Sequence, residues 1–304
     1  MALFTFWQGE WKKIQIPKSL KTDIEGFGFL TNLYHEIKGN KKIIFDFSNC
    51  EWLEANLCAI LGSIVLIYQK QKVQFKIENI EKQSFLQNTF ENNGFLKLFD
   101  NTITNLNKKH SGIPFSKYDM KNENEFENYI YKYILSASKI PEMSEGAKRK
   151  IFRSIFELFQ NSVMHSGASE LYVCGQYYTA KARMALTMVE YGKTFKHNVT
   201  NHLSIYNNFS GAECLKWAVQ SGNTTKSKTE AGGLGLDIIR EFLKLNQGKL
   251  QINSADGYWE EKKGIIFVTD CEYTFPGSIV NIEFNLRDKN SYITHEEFNI
   301  SDIL

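Results

Sequence analysis

At 304 residues, 42% hydrophobic and 23% charged, the chain has an ordinary globular composition and the length of about two domains. Its formal net charge of +2 creates no strong field for holding nucleic acid or a membrane surface. No apolar run reaches the roughly 20 residues of a membrane span, and the opening MALFTFWQGEWKK has neither the basic lead nor the apolar core of a signal peptide.

The first hundred residues alternate between strand and helix patterns. KKIIFDFSN (41–49) predicts a short apolar strand, and LEANLCAILGSIVLIYQKQ (53–71) a helix after it. VQFKIEN (73–79) predicts a second strand, followed by a helix through SFLQNTFENNGFLKLF, so a helix-covered sheet is expected. Residues 106–122 are more polar and read as a linker. Two helices follow, EFENYIYKYILSAS and SEGAKRKIFRSIFELFQNSVMHS, then strands at ELYVCGQYYT (170–179) and RMALTMVEYG (183–192). A loop-rich stretch runs to about 232, a helix opens directly from glycines at GGLGLDIIREFLKL, and three strands close the chain: GKLQINS, GIIFVTDCEYTF and SIVNIEFNL. Helices on one face of a largely antiparallel sheet satisfy that order. Five cysteines, Cys50, Cys58, Cys174, Cys214 and Cys271, make no CxxC pair and are odd in number. That pattern fits small buried thiols in a reducing cytoplasm better than a disulfide frame or a zinc site. The tryptophans, Trp217 among them, read as packing residues.

Four short stretches carry chemistry. Glu157, Asn161 and His165 stand four residues apart on an otherwise apolar helix, and steps of four drift only about 40° each, so they form one narrow polar stripe. Ile151, Ile155, Leu158, Phe159, Ser162 and Val163 lie on another arc, facing the core. Asn161 is a neutral oxygen donor suited to magnesium, which takes few protein ligands and fills its shell with phosphates and water. Glu157, one turn earlier, is placed to take a proton from an attacking water or hydroxyl, with a capping or ion-pair role as the plain alternative. His165 reads either as a third pocket residue or as a structural group closing the helix against the next strand. Glu190 reads either as a plain strand-end acid or as an acceptor for the amino group of adenine, in which case Gly192 would let the chain pass close to the ring. Thr224, Thr225 and Lys226 form a polar loop suited to closing over a terminal phosphate. Gly232, Gly233 and Gly235 bring backbone close to a ligand at a helix N-terminus, whose free N–H groups and dipole favour an anion.

In that order the pieces resemble the GHKL ATPase family, and within it the bacterial anti-sigma-factor serine kinases, over residues 123–287. The family's N box matches at Glu157, Asn161 and His165, and its second glycine box at Gly233-Leu234-Gly235-Leu236. GNTTK resembles the lid segment, and FPGSIVNIEF the closing strand with Gly277 at its turn. The first glycine box departs from Asp-x-Gly-x-Gly, reading Glu190-Tyr191-Gly192-Lys193-Thr194. Glutamate keeps the charge but is one methylene longer, and Thr194 costs flexibility where the lid begins. The N-terminal stretch KKIIFDFSNCEWLEANLCAILGSIVLIYQKQK resembles a STAS domain, the fold of anti-sigma-factor antagonists. Where phosphorylated antagonists carry a serine, this chain has Glu54-Ala55-Asn56-Leu57, with no hydroxyl. His35-Glu36 resembles a histidine-kinase phosphoacceptor, but the following proline is absent and a strand begins within a few residues, so that role is not assigned.

The resemblance implies an α/β protein. A STAS-like domain at 1–105 would be followed by the linker and, at 123–304, by a GHKL-type α/β sandwich with helices on one face of a mixed, mainly antiparallel sheet. It implies ATP and Mg2+ as ligands, Glu157 as the catalytic base and Asn161 as the metal ligand. His165, Glu190, Gly192, Thr224, Thr225, Lys226, Gly232, Gly233, Leu234, Gly235 and Leu236 complete the nucleotide site. The expected function is that of a cytoplasmic bacterial regulator, either a serine/threonine kinase or slow ATPase acting on a protein partner, or a non-catalytic ATP-gated binding switch. The partner would be a STAS-like or sigma-factor-type regulator, with a homodimer left open and neither membrane nor direct nucleic-acid contact expected.

Overall fold

The computed structural model describes residues 10–99, 112–136, 145–204, 209–223, 225 and 235–287. The N-terminal part runs β1 (Lys12–Gln15), β2 (Ser19–Leu20), α1 (Ile24–Ile37), β3 (Lys42–Asp46), β4 (Trp52–Leu53), α2 (Cys58–Lys70), β5 (Gln74–Glu78) and α3 (Ser84–Asn92). β1, β3 and β5 form a parallel three-stranded sheet. α1, which the sequence reading leaves out, begins where Asp23 accepts the Gly26 N–H at 2.9 Å. It buries Phe27, Leu30, Leu33 and Ile37 at three- and four-residue spacing.

The C-terminal part runs β6 (Gly112–Asp119), α4 (Glu123–Ile130), α5 (Glu145–His165), β7 (Glu170–Tyr178), β8 (Arg183–Tyr191), α6 (Phe195–His202), α7 (Gly211–Ala218), α8 (Gly235–Leu245), β9 (Lys249–Lys262) and β10 (Ile265–Asn285). Its strands pair antiparallel throughout in the order β6-β7-β8-β10-β9, so the sheet is not mixed among the described residues. Residues 112–119, read from sequence as linker, are its edge strand β6, held to β7. The stretch read as loop-rich contains α6 and α7, and α7 starts on a capping box of Ser210 and Glu213. The last two predicted strands are one, β10, bent by register shifts around Phe275. Gly277 is required there, because a Cβ would stand 2.0 Å from the Glu190 carbonyl oxygen. Among the described residues no helix is long and apolar enough to cross a membrane.

Side-chain alternation splits the sheet into two buried faces. Leu171 and Val173 of β7, Leu186 and Met188 of β8, and Val280 and Ile282 of β10 pack with Ile151, Ile155, Leu158 and Phe159 of α5 and with Ile239 and Phe242 of α8. Their neighbours Tyr172, Cys174, Val189 and Ile279 pack instead with Leu57, Cys58 and Leu61 at and beside the start of α2. The sheet is therefore covered on both faces, where the sequence order suggested helices on one. The rear cover is the N-terminal part of the same chain.

That rear contact is also polar. The tight turn Ala55–Leu57 before α2 is buried, and Asn56 Nδ2 lies 2.8 Å from Thr22 Oγ1 and 2.9 Å from Thr187 Oγ1. Tyr178 donates its O–H to Asn56 Oδ1 at 3.0 Å, and Asn281 Nδ2 donates to Gln251 Oε1 at 2.8 Å. Arg183 pairs with Glu54 and, at 2.7 Å, with Glu283, which also receives Lys249 at 2.6 Å. The position resembling a phosphoacceptor is thus fully buried and hydrogen-bonded to the sheet.

Candidate functional site

The front face of the sheet opens into a cleft between α5, the end of β8, α6, the end of α7 and the start of α8. Glu157, Asn161 and His165 of α5 all line it, each half-buried, while Ile151, Ile155 and Phe159 turn into the core. The cleft is wider than the stripe: Leu158 and Ser162, expected on the core arc, line it too. His165 Nδ1 lies 3.4 Å from Thr225 Oγ1, and its carbonyl accepts Asn198 Nδ2 at 3.0 Å, which ties the end of α5 to α6.

Glu190 is placed by strand parity. It shares a face with Leu186 and Met188 and therefore points toward α5, opposite Ser278 in the β8–β10 register. It is only 3% exposed, and its Oε2 has no hydrogen-bond partner among the described residues. Burial pushes its carboxyl up to about 7, with the hydroxyls of Ser278 and Ser166 set against it. Gly192 does not line the cleft. The chain passing close to it is the protein's own, since a Cβ there would stand 2.4 Å from the Ser166 carbonyl oxygen. That carbonyl also accepts the Lys193 N–H at 2.7 Å. Thr194 has a structural reason to replace a glycine: with extended backbone it caps α6, accepting the His197 N–H at 3.1 Å.

α8 begins at Gly235, and Leu236 and Asp237 in its first turn line the cleft. Thr224, Lys226, Gly232, Gly233 and Leu234 lie outside the described residues. Several lining residues escape the sequence reading. Trp217, read as packing, borders the cleft with its ring 5.7 Å from that of His202. Lys193, Asn198, Ser278 and Asp237 line it as well. Asp237 has one buried oxygen without a hydrogen-bond partner among the described residues, and the other is 3.8 Å from Arg240. Only FPGSIVNIEF, already singled out around Gly277, could have pointed to Ser278.

The described lining sets three carboxyl groups, Glu157, Glu190 and Asp237, against one lysine, Lys193. A polyphosphate entering here needs countercharge beyond those side chains. No group of three or more His, Cys, Asp or Glu among the described residues is arranged to hold a metal ion. A divalent ion in this cleft would rest on Asn161 and on oxygens of its ligand, the pattern that suits magnesium.

No protein-family model matches the chain, and no curated protein matches it. Among solved structures, the histidine kinase AdeS of Acinetobacter baumannii is similar at 15% identity and a TM-score of 0.27, over 76% of this chain and 96% of that one. A likeness of that size carries no weight beside the cleft itself.

Proposed function

We propose that the chain is a regulatory ATP-binding protein whose cleft takes Mg-ATP. The observation that supports this most is convergence: the stripe of α5, the buried strand-end carboxyl Glu190 and the N-terminus of α8 border one cleft. In this reading Glu190 lies at the base end, Asn161 supplies an oxygen to magnesium, and the first turn of α8 faces the phosphates. Glu157 takes the proton of an attacking hydroxyl, and the protein partner is a STAS-like or sigma-factor-type regulator carrying a serine or threonine.

A second reading is favoured by Thr194. A cap residue fixes the start of α6 where a glycine would leave a hinge, so the cleft would hold ATP and gate a protein surface without turnover. Radiolabelled ATP with magnesium separates the two. Label on a partner protein means a kinase, free phosphate an ATPase, and tight binding with neither a switch. Asn161→Ala should weaken magnesium-dependent binding in every case. Glu157→Ala should leave ATP bound and slow transfer by about 10²–10⁴-fold. If both variants bind and turn over like the native protein, the stripe is only a helix surface.

A further inference from the structure

β9 folds over on itself at Ala255, whose φ is +51°. The Lys263 N–H meets the Gly248 carbonyl at 3.2 Å, Asn253 Nδ2 donates to the Gly257 carbonyl at 2.8 Å, and Gln251 Nε2 donates to a Glu260 carboxylate oxygen at 2.9 Å. Residues 257–262 therefore have the first half of β9 along one edge and, along the other, residues 265–270 of β10 in antiparallel register. β8 pairs with β10 only from Gly277 onward. Among the described residues nothing pairs with the outer edge of 265–270, so this segment is an open border of the sheet. α7 lies beside it without closing it: Ser210, Glu213 and Lys216 border an open groove along Val268, Thr269 and Asp270. The border is apolar where it is most exposed, with Ile265 76%, Ile266 49% and Phe267 52% exposed. An open edge of that kind is a template for another strand.

The charges at its two ends say which strand fits. Lys262 and Lys263 precede the apolar run, Asp270 and Glu272 follow it, and all four are exposed. Asp270 accepts the Ala212 N–H at 2.9 Å, whereas the side chains of Lys262, Lys263 and Glu272 make no hydrogen bond or ion pair among the described residues. A segment that is cationic at its start, apolar in the middle and anionic at its end is the complement of its own antiparallel copy. We infer that residues 265–270 form the contact of a two-fold homodimer, in which the open edge of one copy pairs antiparallel with the same edge of a second copy. A two-fold axis at Phe267 sets the two Phe267 residues opposite each other, Ile266 opposite Val268 of the second copy, and Ile265 opposite Thr269 of the second copy. Residues directly opposite in such a pair share a face, so aromatic and branched side chains meet across the junction. Lys262 and Lys263 of each copy come alongside Asp270 and Glu272 of the other. The pairing is self-complementary, so it closes at two copies and leaves no free edge there. Strands of this length bury little surface, which makes the dimer weak and concentration-dependent rather than obligate.

The test is sedimentation equilibrium of the full chain over a wide concentration range, for the native protein and three variants: Phe267→Lys, the double variant Lys262→Glu/Lys263→Glu, and Glu272→Lys. All the substituted side chains are exposed, so the fold is kept. The native chain should pass from monomer to dimer and no further. Phe267→Lys sets like charges opposite each other at the axis and should weaken the dimer roughly tenfold or more. Each charge-reversed variant alone should weaken it by roughly tenfold, because both ends of the junction change together. An equimolar mixture of the two charge-reversed variants should associate more tightly than either alone, since reversing the lysines of one copy and Glu272 of the other brings opposite charges back together. A native chain that stays monomeric overturns the inference and makes the flanking charges guards against pairing. A dimer indifferent to Phe267→Lys, a mixture no tighter than its components, or growth beyond dimers overturns it as well.

Discussion

Glu54 and Glu190 are buried carboxyl groups on opposite sides of one sheet, and their surroundings differ in kind. Burial works against the charge of Glu54, but the Thr22 backbone N–H at 2.8 Å and the Arg183 guanidinium outweigh it and hold its pKa below the usual glutamate value. Around Glu190 burial dominates, the Ser278 and Ser166 hydroxyls oppose it without offsetting it, and its pKa rises to about 7. Strand β8 supplies both sites, Arg183 at its start on the rear face and Glu190 near its end on the front. A buried charge that is fully paired holds two layers together. A buried carboxyl with an idle oxygen beside an open cleft keeps hydrogen-bonding capacity that the described residues do not use.

The sharpest way to break this contrast is Arg183→Ala. It would leave Glu54 and Glu283 buried without their shared partner, and folding stability should drop by about 3–5 kcal/mol in denaturant unfolding. A drop below about 1 kcal/mol would show that the rear face does not depend on its ion pairs.

Next in size is Glu190→Gln. Because the folded pKa of Glu190 lies above its unfolded value, its contribution is fully present below about pH 4.5 and is lost as pH rises through about 7. Between pH 5 and pH 8 the variant should therefore gain roughly 2–3 kcal/mol of stability relative to the native chain. An unchanged difference across that interval would remove the raised carboxyl from the front face.

Glu54 should tilt stability the other way. Its folded pKa is lowered, so its contribution is present above the ordinary glutamate range and is lost as pH falls through that lowered value. Acid titration of stability should show this loss in the native chain and a flatter curve in Arg183→Ala. The smallest expected effect belongs to the rim of the cleft. Thr194→Ala should cost about 1 kcal/mol by removing the cap of α6, and Thr194→Gly only a few tenths. Equal losses would mean that Thr194 acts through packing.

Local spacing carries much of this architecture. The stripe of Glu157, Asn161 and His165 follows from helical periodicity, and the structure brings all three to one cleft. The strands β7 and β8 are legible as apolar runs, and Gly277 stands where the backbone of β8 comes too close for any side chain. α1 was not legible, because its pattern GFGFLTNLYHEI places glycines and polar residues among the apolar ones, and its amphipathic face is weak without the sheet it covers.

What the sequence alone determined is therefore periodic and short-range: which residues share a helix face, which strands alternate, and where glycine is obligatory. What only the tertiary structure decided is partnership. Asn56 and Asn161 look alike in sequence, yet one is sealed against Thr187 at the rear and the other borders an open cleft. Thr194 looks like a lost glycine until α6 is seen beginning on it, and Trp217 looks like core until the cleft is seen beside it. Burial and hydrogen-bond satisfaction belong to pairs of residues far apart in the chain, so no local pattern can encode which buried carboxyl will find an arginine and which will keep an oxygen idle.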